Sequence, residues 1–294
     1  MEKLKYGIID VGGGVRDVFG AGVLKGCMEK GLSFDVCLGV SAGSGNLTSF
    51  LAGQKGRNYR FYSDFCFRKQ YIGFGNFLKN RNYVNLDYAY SVLSDRNGEC
   101  PLDMEKVLEN PAEFYVVTCD AKTAAAVYFD KNGLKEYGLD VIKASSSLPV
   151  VNTPYPVGKG LYFDGGLADP IPLEKAFSLG CDKVVIILSR PRDFFRVPKK
   201  DAMFAKLIRR KYPKASKALA MRYRKYNESL LIAQKYEKEG RVRIIAPTDC
   251  YGMSTLTRDK EKIARLYEDG KKAAEKAEEF LKASASQTFV PYCE

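Results

Sequence analysis

No histidine occurs anywhere in the 294-residue chain. Its absence excludes a Ser-His-Asp triad, a Cys-His dyad and every histidine-ligated zinc site. Any nucleophile here must be served by another base. The chain also has no uninterrupted apolar stretch near the ~20 residues that a membrane-spanning helix needs. Its eight cysteines, at 27, 37, 66, 100, 119, 181, 250 and 293, include no Cys-x-x-Cys pair. In a chain too large to depend on disulfide staples, they read as reduced and mostly buried thiols. The first residues, Met1-Glu2-Lys3-Leu4-Lys5, run straight into a strand-like segment without the apolar block of a secretory leader, so cytoplasmic residence is expected.

What is present can build one large core, since 46% of residues are hydrophobic and 28% charged, a balance that excludes disorder. The net charge of +12 is concentrated: residues 190–243 carry 18 Lys/Arg against 5 Asp/Glu, and the rest is nearly neutral. Such a region suits a solvated helical surface, an anionic membrane or nucleic acid. No nucleic-acid recognition motif accompanies it, so nucleic acid ranks last.

In chain order, Tyr6 to Val11 reads as a strand, followed by the loop Gly12-Gly13-Gly14-Val15-Arg16. Ala21, Val23, Leu24, Cys27 and Met28 then recur at helical spacing. A second strand-turn-helix unit follows, from Phe34-Asp35-Val36-Cys37-Leu38 through Gly39-Val40-Ser41-Ala42-Gly43 to a helix whose buried face carries Leu47, Phe50 and Leu51. Two such units in succession predict a parallel sheet with helices packed on it, and a site at the carboxyl ends of its strands. Residues 54–98 are dense in aromatics, including Tyr59, Phe61, Tyr62, Phe65, Phe67, Tyr71 and Phe74. These fit ordinary packing of short helices or the lining of an acyl cleft. Phe114–Cys119 and Ala125–Asp130 read as a hairpin, and Leu139–Ser145 as a helix stopped at Ser145-Ser146-Ser147-Leu148-Pro149. Leu161-Tyr162-Phe163 leads into Asp164-Gly165-Gly166. Leu173–Leu179 reads as a helix and Lys183–Leu188 as a β-branched strand. Residues 199–238 turn helical and basic, divided at Pro213 because proline clashes inside a helix. Residues 243–247 read as a last strand and Lys260–Ala283 as one long amphipathic helix.

Ser41, between two glycines at a strand-to-helix turn, has the setting of a nucleophile, although a glycine-rich turn with a bystander serine fits the pentapeptide equally. With histidine absent, the candidate base nearest in logic is a carboxylate. Asp164, at a strand end before two glycines, can take the serine proton and return it to the leaving group. Asp164-Gly165-Gly166 is also compatible with a simple turn. Gly12, Gly13 and Gly14 can present backbone N–H groups to a developing oxyanion, with Arg16 fixing the loop or adding positive charge. The same loop fails as a nucleotide site, because the third glycine of a dinucleotide fingerprint and the Gly-Lys-Ser/Thr of a phosphate loop are both missing. A structural glycine turn remains the other reading.

Taken together and in this order, Gly12-Gly13-Gly14-Val15-Arg16, Gly39-Val40-Ser41-Ala42-Gly43 and Asp164-Gly165-Gly166 resemble the patatin-like phospholipase family. The resemblance covers residues 5–190. The remainder is similar to the C-terminal extension of bacterial patatin-like acyl hydrolases. It implies a three-layer α/β/α fold with a mostly parallel central sheet, and hydrolysis of lipid acyl esters by a Ser41-Asp164 dyad without metal or cofactor. It also implies an oxyanion-stabilising role for Gly12, Gly13, Gly14 and Arg16, and a position near the site for the Ser145–Pro149 stretch. The family commonly has glycine after the loop arginine. Here Asp17 stands there, either partly neutralising Arg16 or pointing to solvent.

The expected organisation is a catalytic domain over residues 1–190 and a basic helical extension over 191–294, packed on the same core. The expected function is acyl-ester hydrolysis on phospholipid, lysophospholipid or a related ester, with residues 190–243 holding the enzyme against an anionic membrane. A catalytically silent lipid- or membrane-binding protein of the same fold is the alternative.

Overall fold

A computed structural model describes residues 4–286, so Cys293 and the reading of Met1-Glu2-Lys3 lie outside the described residues. Strands β1 (Tyr6–Asp10), β2 (Val36–Val40), β3 (Glu113–Asp120), β4 (Ala126–Phe129), β5 (Tyr155–Val157), β6 (Gly160–Asp164), β7 (Lys183–Ile187) and β8 (Val242–Ile245) form one sheet. Its centre is parallel, with β8, β7, β1, β2 and β3 side by side. β4 and the β5–β6 hairpin add antiparallel pairings to β3. Central parallel strands must be apolar on both faces, and β7 shows why its sequence is an unbroken apolar run. Val185 and Ile187 join one core, while Val184 and Ile186 join the other.

Helices α1 (Val18–Glu29), α2 (Ala42–Leu51), α3 (Arg57–Ser63), α4 (Phe74–Asn80), α5 (Met104–Glu109), α6 (Lys131–Tyr137), α7 (Asp140–Ser145), α8 (Leu173–Ser178), α9 (Lys199–Ile208), α10 (Pro213–Lys238), α11 (Lys260–Ala273) and α12 (Glu275–Ser286) cover these faces. One core takes side chains from α1, α2, α7, α11 and α12, the other from α8 and α10. The result is the expected three-layer α/β/α sandwich. Pro213 falls at the first position of α10, where its missing N–H costs nothing.

The long terminal helix divides at Ala274. α11 lies so close to α1 that a Cβ on Gly22 would stand 2.1 Å from the Tyr267 carbonyl oxygen, and one on Gly270 2.2 Å from that of Phe19. α12 leaves this crossing to pack against β8. The break lets one amphipathic pattern follow two differently oriented surfaces.

One feature of the pairing positions the site. β4 pairs with Val116–Cys119 along one edge of β3. The opposite edge is shared in succession, with β2 on Glu113–Val117 and β6 on Thr118–Asp120. β2 ends at Val40 opposite Val117, and Asp164 sits opposite the next residue, Thr118. Ser41 and Asp164 therefore meet at the seam where one strand replaces the other.

Candidate active site

Ser41 occupies the turn between β2 and α2 with φ 55° and ψ −130°, a strained backbone for a residue with a side chain. Its flanking glycines permit that turn. A Cβ on Gly39 would stand 2.4 Å from the Cα of Ser44, and one on Gly43 2.3 Å from the Asp10 carbonyl oxygen. The Ser41 N–H donates to Ser145 Oγ at 2.9 Å, and the Ser145 hydroxyl donates to the Val117 carbonyl at 2.7 Å. Ser145 thus ties the elbow to β3.

Asp164 is 3% exposed. Its backbone N–H donates to the Ser147 carbonyl at 2.9 Å, and Gly166 N–H donates to its Oδ1 at 2.8 Å. Burial raises its pKa. The Arg222 guanidinium, a hydrogen bond from the Ser41 side chain, the Gly166 N–H and Arg196 act in the opposite direction. A carboxylate whose pKa is raised by burial is a stronger base than an exposed aspartate, and the two arginines temper that rise.

Gly12, Gly13 and Gly14 have φ of 68°, 154° and 61°, so three consecutive residues use backbone that favours glycine. The loop presses on the nucleophile: a Cβ on Gly12 would come within 3.0 Å of the Ser41 Cβ. Gly12 N–H is already given to Asp10 Oδ1 at 3.1 Å, and its carbonyl accepts from Ser189 Oγ at 2.5 Å. Among the described residues, the Gly13 and Gly14 N–H groups have no protein acceptor. Arg16 is 2% exposed; its Nε donates to the Ser189 carbonyl at 2.7 Å and its Nη1 has no partner.

Asp17 neither points to solvent nor pairs with Arg16. It is fully buried, accepts from Asn46 Nδ2 at 2.9 Å and faces Asp10. Burial and the neighbouring Asp10 raise its pKa well above the carboxylate range, and Asp10 is itself pushed up to about 6 by burial. One proton shared between two carboxyls accounts for both shifts. The acid is spent inside the core beneath the glycine loop, leaving Arg16 its charge.

Ser41, Asp164, Gly12, Gly13, Gly14 and Arg16 all line one cleft of about 1430 Å³, counted out to its open mouth. The aromatic segment divides its duties. Phe61, Tyr62 and Tyr71 line this cleft with Leu86, Leu148 and Leu256, whereas Tyr59 stacks on Tyr267 and Phe65 packs in a satellite core. Five further contributors are not marked by the sequence. Ser189 and Thr255 hold the glycine loop, the latter by accepting Val15 N–H at 2.8 Å, and Arg190, Arg196 and Arg222 line the cleft. Nothing local marks the first two, and the arginines are hidden among the other basic residues around them.

Comparisons with known proteins bear on the family of the chain. The family model described as patatin-like phospholipase matches residues 11–177, more than half of the chain. A second model, a domain of unknown function (DUF6363), matches residues 212–285. The uncharacterized protein YjjU of Escherichia coli K12 is 30% identical over 202 residues, 66% of this chain and 54% of YjjU. The chain thus spans about half the length of that relative. The crystal structure of VipD from Legionella pneumophila superposes with a TM-score of 0.47 at 14% identity, over 96% of this chain and 67% of VipD. The family model begins just before the glycine loop and runs past Asp164, enclosing the elbow serine between them, and on that match the chain belongs to the patatin-like phospholipase family.

Proposed function

We propose that the protein hydrolyses lipid acyl esters through an acyl-Ser41 intermediate, with Asp164 as the base. The observation that supports this reading is Ser41 on a strained elbow lining the same cleft as the buried carboxylate of Asp164. Ser41 Oγ attacks the ester carbonyl as its proton passes to Asp164. The tetrahedral intermediate collapses, and the leaving alcohol departs with that proton. Water then attacks the acyl-serine, giving its proton to Asp164, and the fatty acid and the free serine are released. Charge on the carbonyl oxygen is stabilised by the N–H groups of Gly13 and Gly14 and by that of Ala42, which opens α2 and has no acceptor within the helix. Each such donor is worth roughly 3 kcal/mol. Gly12 shapes the loop, and Arg16 supplies a buried positive charge behind it. The segment up to residue 190 supplies the dyad and the loop, and Arg196, Arg222, Tyr226, Thr255 and Leu256 from the segment beyond it line the same cleft.

Release of fatty acid from phospholipids, lysophospholipids and short esters tests the reading. Ser41→Ala and Asp164→Asn should each lower kcat by at least about 10³-fold with the fold intact. Hydrolysis by Ser41→Ala equal to that of the parent would remove the nucleophile from the scheme. A folded parent that binds lipid vesicles and releases no fatty acid from any ester would favour a catalytically silent lipid-binding protein instead.

Peripheral contact with an anionic membrane belongs to the same reading. On and just before α9, the exposed side chains Phe195, Val197, Met203 and Leu207 lie among the exposed lysines Lys199, Lys200 and Lys206. This combination suits the lipid interface. Each lysine near such a surface contributes ~1 kcal/mol, so reversing all three to glutamate should abolish co-sedimentation with phosphatidylserine vesicles.

A further inference from the structure

Three arginines that line the cleft each carry one buried N–H group without a partner. Arg57, which also lines the cleft, shows the ordinary case: its Nε, Nη1 and Nη2 donate to the Pro101 carbonyl, Ser49 Oγ, Ser94 Oγ and the Cys100 carbonyl. By contrast, Arg16 Nη1, Arg190 Nε and Arg196 Nε are buried without a hydrogen-bond partner. Arg196 has Asp201 at 4.0 Å, and Arg222 donates Nε to the Gly166 carbonyl at 3.3 Å. The cations also oppose one another. After burial, Arg190 is the next cause lowering the pKa of Arg16, and Arg222 the next cause lowering that of Arg196.

The four are nevertheless held in place. The Arg190 guanidinium lies 4.1 Å from the Phe194 ring centroid, and Arg196 lies 4.9 Å from that of Tyr226, so aromatic rings fix the planes and leave their edges free. Gathering four cations and withholding hydrogen bonds costs stability unless an anion occupies the space between them.

We propose that Arg16, Arg190, Arg196 and Arg222 form a subsite for a terminal phosphate group carried by the alcohol part of the ester. This inference rests on the hydrolase reading above and specifies its substrate class. Planar guanidinium groups match phosphate oxygens in paired hydrogen bonds, and a terminal phosphate carries close to two negative charges at neutral pH. Among the described residues lining the cleft, Asp164 is the only carboxylate. A choline or ethanolamine ammonium would therefore meet four cations and no free acid. A phosphomonoester headgroup meets four cations whose charge outweighs that of Asp164 and of Asp201 beside Arg196.

Kinetics on three monomeric esters with the same short acyl chain test this: a monoacylglycerol phosphate, its choline diester and the uncharged monoacylglycerol. The phosphomonoester should have the highest kcat/KM. Arg190→Gln and Arg196→Gln should each lower the ratio of its kcat/KM to that of the uncharged ester by roughly tenfold, the loss of one charge-assisted hydrogen bond. Arg224→Gln, which breaks an exposed pair with Glu228 on the same helix, should leave the ratio where it is. Equal kcat/KM for phosphorylated and uncharged esters, or an undiminished ratio in both glutamine variants, overturns the subsite.

Thermal melts of Ser41→Ala separate the possible failures, because that protein binds without turnover. Glycerol phosphate should raise its Tm, and adding Arg190→Gln should abolish the rise. If inorganic phosphate raises Tm equally while the parent shows no preference for the phosphorylated ester, the cluster holds free phosphate and the substrate assignment falls. If no ester is hydrolysed but the phosphate ester still binds through Arg190, the hydrolase reading fails while the subsite stands.

Discussion

At the scale of single residues, Ser41 keeps its strained backbone because neighbours hold it on both sides. Ser145 is the least obvious of them. Ser145→Ala removes the acceptor for the Ser41 N–H and should lower kcat by roughly tenfold with little change in Tm, equivalent to one net hydrogen bond. The charge state of Asp164 sets a second expectation. As a base it works ionised, and burial raises its pKa, so the acid limb of kcat/KM should lie above the ordinary carboxylate value of ~4. Arg222 is the largest influence holding that pKa down, so Arg222→Gln should move the limb to higher pH. A third concerns Asp10 and Asp17, whose raised values mean that the native state retains a proton that the unfolded chain releases above pH ~4. Stability therefore falls as pH rises from there through about 6, the value for Asp10, and beyond. Asp17→Asn should flatten this dependence and raise stability at pH 8 by on the order of 1–3 kcal/mol, measured by urea denaturation across pH. The turns at Ser41 and after Asp164 were legible because the glycines beside them announce tight backbone in the sequence itself. Asp17 was not, since nothing near it in sequence says that its neighbour in space is another acid.

At the scale of elements, the crossing of α1 and α11 depends on the absence of side chains. Gly270→Ala would place a Cβ 2.2 Å from the Phe19 carbonyl oxygen, forcing the helices apart at a cost of on the order of 1–3 kcal/mol. Gly75, exposed in α4 with nothing within 4 Å of its added Cβ, provides the contrast. Gly75→Ala should stabilise by roughly 0.5–1 kcal/mol through helix propensity, with both effects read from thermal melts. The two strand-turn-helix units could be read from the sequence because their periods and glycine punctuation are local. The division at Ala274 could not, for the amphipathic pattern continues across it and only the surfaces beneath, α1 and then β8, change direction.

At the scale of the whole molecule, the segment beyond residue 190 completes the sandwich. It contributes β8 to the sheet edge, α10 to one face, and α11 and α12 to the other. A chain ended at residue 190 should be insoluble or bind a hydrophobic dye without a cooperative melt, because Ile9, Val184 and Ile186 lose their cover. The concentration of positive charge in residues 190–243 was evident from the sequence. Which arginines turn toward the cleft was not, as a charge count carries no direction. The seam on β3 has a kinetic consequence. The contacts that assemble the site join residues far apart in the chain, 104 positions between Ser41 and Ser145, 173 between Arg16 and Ser189, and 177 between Gly12 and Ser189. Closing such long loops is slow, whereas α10 and α11 can form from local contacts. During refolding from urea, helical circular dichroism should recover first and the ability to release fatty acid last, so enzymatic activity would serve as a clock for the final strand pairing.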